Sequence, residues 1–231
     1  MNTDNDQILQ LFHGSEHIIE HPEYGGGSAN NDYGRGFYCT KSIELAKEWA
    51  CGRGLDGFAN EYRVDTAELG ILDLNSENYC ILNWLAVLTR HRTYWQNSSI
   101  SADAKAYLQD NFYVDISQYD IVKGYRADDS YFTFAQDFVS NAIPLDTLRK
   151  AMHLGELGEQ IVIRSKRAFE RIGFAGSTPA DVSVYYEKKT ERDRRARLLY
   201  RKYRSELVGT DGIYMLDIVR EGMKNGDPRL Q

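Results

Sequence analysis

Two apolar periods alternate along this chain of 231 residues, and any fold has to satisfy both. Short alternating or β-branched runs occur at Ile8 to Phe12, at FYCT after Gly36, at EYRVD and LGILDL, and late in the chain at EQIVIRS. Such runs predict strands. Between them, around residues 76–155, the period becomes helical. In NYCILNWLAVLTRHR, Ile81, Trp84, Leu85 and Leu88 fall on one helical face, and Leu82 and Val87 widen it. SADAKAYLQDNF predicts a second amphipathic helix, YDIVKGYRADDSYF a strand running into a polar turn, and FTFAQDFVSNAI with PLDTLRKAMHLG a helical pair. Pro144 suits a first helical turn. SIELAKEWACG predicts a helix capped by Thr40 or Ser42 and ended by Gly52, with Leu45 and Trp49 on one face. SKRAFERIGF reads as helix or loop. Strands separated by helical segments give an α+β class, in a single domain spanning 1–231.

Composition narrows the function classes. The chain is 42% hydrophobic and 27% charged, a globular balance. No apolar run approaches the roughly 18–20 residues of a membrane helix, and MNTDNDQILQLFHG lacks the basic and apolar parts of a secretory signal. Cys39, Cys51 and Cys80 are odd in number and lack metal-ligand spacing, which predicts a reducing cytoplasm and no metal. A net charge of -6 excludes a uniformly cationic coat for nucleic acid. That charge is unevenly spread. From Glu187 to Glu206 nine Lys/Arg face four Asp/Glu, a net +5, which leaves -11 on the rest. This basic helical segment, around 185–207, has two readings. One is a solvated helix with ion pairs such as Glu191–Arg195 and Asp193–Arg197. The other is a nucleic-acid surface, with Arg192, Arg194, Arg195, Arg197, Arg201, Lys202 and Arg204 gripping phosphates and Tyr200 and Tyr203 stacking on bases.

Three short segments carry candidate chemistry. LFHGS places His13, Gly14 and Ser15 at the end of the first strand. DYGRGFYCT places Tyr38 just after the turn at Gly34 and Gly36, with Asp32 and Arg35 on the preceding loop. EQIVIRS opens a strand with Glu159 and Gln160. No P-loop, dinucleotide fingerprint, HExxH, G-x-S-x-G or paired CxxC occurs.

As an ordered set, these segments resemble the ADP-ribosyltransferase superfamily, in its diphtheria-toxin and poly-ADP-ribose-polymerase branch with a His-Tyr-Glu set. Trp49 lies where that branch carries a second ring, on the helix after the motif tyrosine. LFHGS, NDYGRGFYCT, AKEWA, YRADDSYF and GEQIVIRSKRAF are also similar to a little-characterised bacterial, toxin-like family of the same superfold. The resemblance implies a split two-sheet β core with helical insertions, NAD as substrate, and no metal. It implies mono-ADP-ribosyl transfer to a macromolecule, protein or nucleic acid, with release of nicotinamide, and a neutralising antitoxin-type partner. An NAD glycohydrolase and a catalytically silent NAD- or nucleotide-binding module are the alternatives.

By the same resemblance, Gly14 would offer its backbone to the nicotinamide amide, with His13 on ribose hydroxyls and Ser15 in support. Tyr38 and Trp49 would enclose the ring, Gly36 would let the loop turn before Tyr38, and Asp32 and Arg35 would approach the substrate. The catalytic glutamate position falls on Glu159 or Gln160. Strand alternation makes the choice exclusive and favours Gln160, on the more polar face with Arg164. Glutamine can hold a hydroxyl but brings no charge. Asp129, with Asp128 behind it, is the candidate for the missing carboxylate, or else forms a turn or helix cap.

Overall fold

A computed structural model describes residues 7–92, 99–127, 129–156, 158–206 and 212–231, the side chains of Ser99 and Asp129 excepted. The first apolar run forms β1 (Ile8–Ser15), longer than the run itself, so His13 and Gly14 lie inside the strand. Leu11 is buried between the sheets, while Phe12 packs with Ala46 and Ala59 on the other side. β1 pairs antiparallel with β3 (Gly57–Asp65), and β3 with β7 (Ile172–Ala180), in a three-stranded sheet.

The second sheet has four strands in the order β2 (Phe37–Cys39), β6 (Gln160–Ile163), β5 (Ile121–Gly124) and β4 (Ile71–Asp73). β4 and β5 are parallel, the other pairs antiparallel. β5 comes from inside the helix-patterned block and sits between β6 and β4, so that block is woven into the sheet. An isolated bridge joins the two sheets, where Phe12 and Thr40 exchange N–H···O bonds of 2.8 and 2.9 Å. Leu11, Cys39, Val64, Ile121, Ile161 and Ile163 fill the space between the sheets.

The larger core gathers around α2 (Ile81–His91), which packs with α3 (Ser99–Phe112), α4 (Asp129–Val139), α5 (Leu145–Met152) and the outer face of the second sheet. Every residue from Ile81 to Thr89 is buried, not one face alone. Asn83 survives there because Nδ2 donates to the Phe112 carbonyl at 2.8 Å and Oδ1 accepts the Cys80 N–H at 2.9 Å. Pro144 stands at the N-cap of α5.

Three segments differ from expectation. IGFAGSTPA forms β7 although its Gly and Pro content hides any alternation. β7 pairs with β3 on the side opposite β1, and Pro179 is tolerated because β7 is itself an edge strand. SKRAF forms only the short α6 (Lys166–Phe169). Near the C-terminus α8 (Met215–Arg220) buries Met215 and Ile218, an element not anticipated from the sequence.

The basic segment is α7 (Val182–Ser205), capped by Asp181. It lies against α1 (Ile43–Ala50). Lys188 pairs with Glu44 at 2.9 Å, and Arg192 Nε donates to Glu48 at 2.9 Å. Tyr200 donates to Asp137 at 2.7 Å. Part of the helix's positive charge therefore answers the acidic body of the same chain. Asp193 pairs with Arg197 at 2.8 Å as predicted, but Glu191 pairs with Arg194 at 2.7 Å instead of Arg195. The guanidinium one residue nearer reaches it at i,i+3 spacing. No helix among the described residues is long and apolar enough to cross a membrane.

Candidate functional site

A cleft of about 640 Å³ opens where the two sheets part. His13, Tyr38, Trp49 and Gln160, called from four separate segments of the sequence, all line it, together with Gly36 and Asp32.

His13 reaches the cleft because β1 ends there. Its Nδ1 lies 2.7 Å from the Tyr38 carbonyl oxygen, which can only accept, so the proton sits on Nδ1 and Nε2 keeps its lone pair. Burial pulls the His13 pKa below the usual histidine value and the Tyr38 carbonyl opposes this only in part. The ring rests on Phe37 with centroids 4.4 Å apart.

Tyr38 is fixed at both ends. Its hydroxyl donates to the Gly34 carbonyl at 2.6 Å and accepts the Tyr33 N–H at 3.1 Å. Burial raises its pKa, so the hydroxyl stays protonated. Gly34 is required for this turn. Its φ is +73°, and a Cβ there would stand 2.8 Å from His91 Cε1.

Gly14 borders an adjoining hollow with Ser15, Glu16, His17, Trp49 and Arg53, not the cleft itself. In a strand, alternate residues present N–H and C=O to the same edge. Phe12 gives both to Thr40, so Gly14 turns its pair to that same edge, just past the isolated bridge. A Cβ at Gly14 would stand 2.0 Å from the Ala46 carbonyl oxygen, so β1 and α1 touch backbone to backbone. This close approach brings Trp49 beside the motif. Ser42, not Thr40, caps α1, its hydroxyl accepting the Leu45 N–H at 3.3 Å. The Ser15 hydroxyl accepts the His17 N–H at 3.2 Å.

At the third motif the strand alternation resolves the pair. Gln160 is 7% exposed, faces the cleft, and its Oε1 is buried without a hydrogen-bond partner. Glu159 does not line the cleft. It pairs with Lys41 at 3.5 Å and accepts from Asn75 at 3.4 Å. The side chain of Asp129 and the whole of Asp128 lie outside the described residues. Arg35 is exposed, donates to the Gly25 carbonyl at 3.0 Å and does not line the cleft. Nor does any residue of α7, so Arg194, Arg195, Arg197 and Arg201 stand apart from it.

Among the described residues two carboxylates, Glu23 and Asp32, line the cleft ahead of β2, and Asp32 is 4% exposed. Arg92 donates to its Oδ1 through Nε at 2.8 Å and Nη2 at 2.5 Å, and the Ala127 N–H donates to Oδ2 at 2.8 Å. Burial pushes its pKa up, against the pull of Arg92 and the Ala127 N–H. Two basic residues of the cleft, Arg92 and Arg126, were not singled out from the sequence. Arg126 belongs to YRADDSYF, where a cation beside a polar turn was a usable signal. Arg92 sits at the C-cap of a buried helix and gave none. The Arg126 guanidinium lies over the Trp49 ring, 3.9 Å from its centroid.

Fold and cleft together define an α+β protein of two sheets with an aromatic, histidine- and amide-bearing pocket between them. Residues 9–174 match the family described as "Protein of unknown function (DUF3990)", and the chain belongs to that family. The match contains every cleft residue and ends within β7, leaving α7 and α8 beyond it. No curated protein and no solved structure matches the chain.

Proposed function

We propose that the cleft binds NAD and that the protein is a mono-ADP-ribosyltransferase, of the bacterial toxin or defence-effector kind. The observation that carries this reading is the convergence of His13, Tyr38, Trp49 and Gln160 on one cleft between two sheets. The two-sheet division also accords with the split β core of the ADP-ribosyltransferase superfold. In this reading His13 Nε2 accepts a ribose hydroxyl, with the ring orientation held by Tyr38. The Gly14 edge receives the nicotinamide carboxamide through one N–H and one C=O. Tyr38 and Trp49 supply ring surface, and Gln160 Oε1 accepts from the other ribose hydroxyl. The nicotinamide–ribose bond breaks with positive charge developing on the ribose. Nicotinamide leaves with the bonding pair, and a nucleophile of the acceptor bonds to the anomeric carbon, releasing its proton to solvent. The acceptor is a macromolecule, protein or nucleic acid. An effector acting in its own cytoplasm needs a neutralising partner protein, which the proposal includes.

A second reading, a silent NAD-binding module, is favoured by one observation. The strand position expected to bring a carboxylate brings a neutral amide, and Asp32 is already engaged by Arg92. One experiment separates the readings. The purified chain is incubated with lysate and NAD labelled in its ADP-ribose part. Nicotinamide release with label on a macromolecule supports the transferase. Release without labelling identifies a glycohydrolase. Neither, with NAD still raising the melting temperature, leaves the binding module.

A further inference from the structure

Trp49 is the ring of the cleft that a flat ligand would meet on α1, and its face is already taken. The Arg126 guanidinium carbon stands 3.9 Å from the ring centroid, at stacking distance, and both residues line the cleft. Guanidinium is a planar, delocalised cation. So is the nicotinamide ring of NAD. Arg126 thus presents to Trp49 the shape and charge that the ligand would present. Trp49 Nε1 is also buried without a hydrogen-bond partner, so the arginine covers the ring without satisfying its one polar atom. A ligand that stacks on Trp49 and carries an acceptor at its margin would satisfy both.

We infer that Arg126 is an internal competitor for the planar cationic ring of the ligand, which has to displace its guanidinium from Trp49 to bind. This deepens the NAD reading and rests on it for the ligand's identity, but the competition itself can be measured without NAD. Arg126 follows β5, in residues 125–127, which carry no regular structure. The residue is partly exposed although its Nη1 is buried, so the guanidinium has solvent on one side to move into. A guanidinium over an aromatic face contributes about 0.5–2 kcal/mol, so displacing it from the ring should by that contact alone lower affinity by roughly threefold to thirtyfold.

The test compares the full chain with Arg126→Ala and Arg126→Lys. The first readout is tryptophan fluorescence quenching by N-methylnicotinamide, a planar pyridinium cation. Trp84 is fully buried, and the Trp49→Phe chain supplies the combined background of Trp84 and Trp95. Arg126→Ala should raise the quenching constant by about threefold or more, Arg126→Lys should raise it less, and adding Trp49→Phe should abolish the gain. The second readout is the NAD dissociation constant by calorimetry, expected to fall for Arg126→Ala. Unchanged quenching in Arg126→Ala overturns the proposal whatever NAD does. Weaker NAD binding in Arg126→Ala also overturns it, because Arg126 is then a ligand contact and not a competitor. Increased quenching with no NAD binding by either protein upholds the competitor and sinks the NAD reading alone.

Discussion

The Nδ1–H of His13 donates to the backbone carbonyl of Tyr38 across 2.7 Å, tying the first strand of one sheet to the edge strand of the other. That bond sets the imidazole tautomer and ties two of the sequence motifs together. His13→Ala should therefore abolish nicotinamide release while shifting the melting temperature by only a few degrees. His13→Asn can still donate to Tyr38 and should retain more stability than activity. Wild-type turnover in His13→Ala would remove His13 from the site.

Tyr38 separates ring from hydroxyl. Tyr38→Phe keeps the ring but orphans the Gly34 carbonyl and the Tyr33 N–H. The expected loss is about 1–3 kcal/mol of stability by denaturant titration, with NAD affinity little changed. Tyr38→Ala should lose both. Equal NAD affinity in Tyr38→Ala and wild type would show that the ring is not part of the binding surface.

Gly14→Ala tests the contact between β1 and α1. A Cβ 2.0 Å from the Ala46 carbonyl forces the helix away, and Trp49 moves with it. Overpacking against backbone should destabilise the fold by about 1–3 kcal/mol, and NAD-induced stabilisation should fall with it. A variant as stable as wild type would mean that β1 and α1 are less tightly packed than the structure has them.

Gln160→Glu restores the residue type that the transferase pattern carries. The new carboxyl enters a buried position, so its pKa should rise above the usual glutamate value. Nicotinamide release should increase over wild type, with the gain appearing only as pH rises through that raised pKa. A pH-independent or absent gain in initial rates would argue against a charge requirement at this strand position.

His91 gives a stability prediction independent of ligand. Burial, with Arg164 and Arg90 near, lowers its pKa to about 4. Below the ordinary histidine value of about 6.5 the unfolded chain takes the proton and the folded chain does not. Stability should therefore fall as pH drops from about 6.5 toward 4, with a slope of up to about 1.4 kcal/mol per pH unit from this group. His91→Gln should flatten melting temperature against pH over that window. An equally steep profile in the variant would assign the acid loss to other groups.

Of the fold, the α+β class and most elements were legible because short alternating runs and helical stripes have different periods. β7 was not, because an edge strand built on Gly173, Gly176 and Pro179 owes its existence to β3 and not to its own pattern. Of the site, His13, Tyr38, Trp49 and Gln160 were legible as motif residues. The sequence by itself determined that these four lie on short strands and on a capped helix. Alternation already favoured Gln160 over Glu159, and register against β5 and β2 is what turns that favoured side chain into the cleft. Only the tertiary structure brought Arg92 onto Asp32, 60 positions away in sequence, and Arg126 onto Trp49. Local periodicity specifies which face of an element is apolar, but the pairing of charges and rings across a cleft depends on how distant elements pack, and no local spacing encodes that.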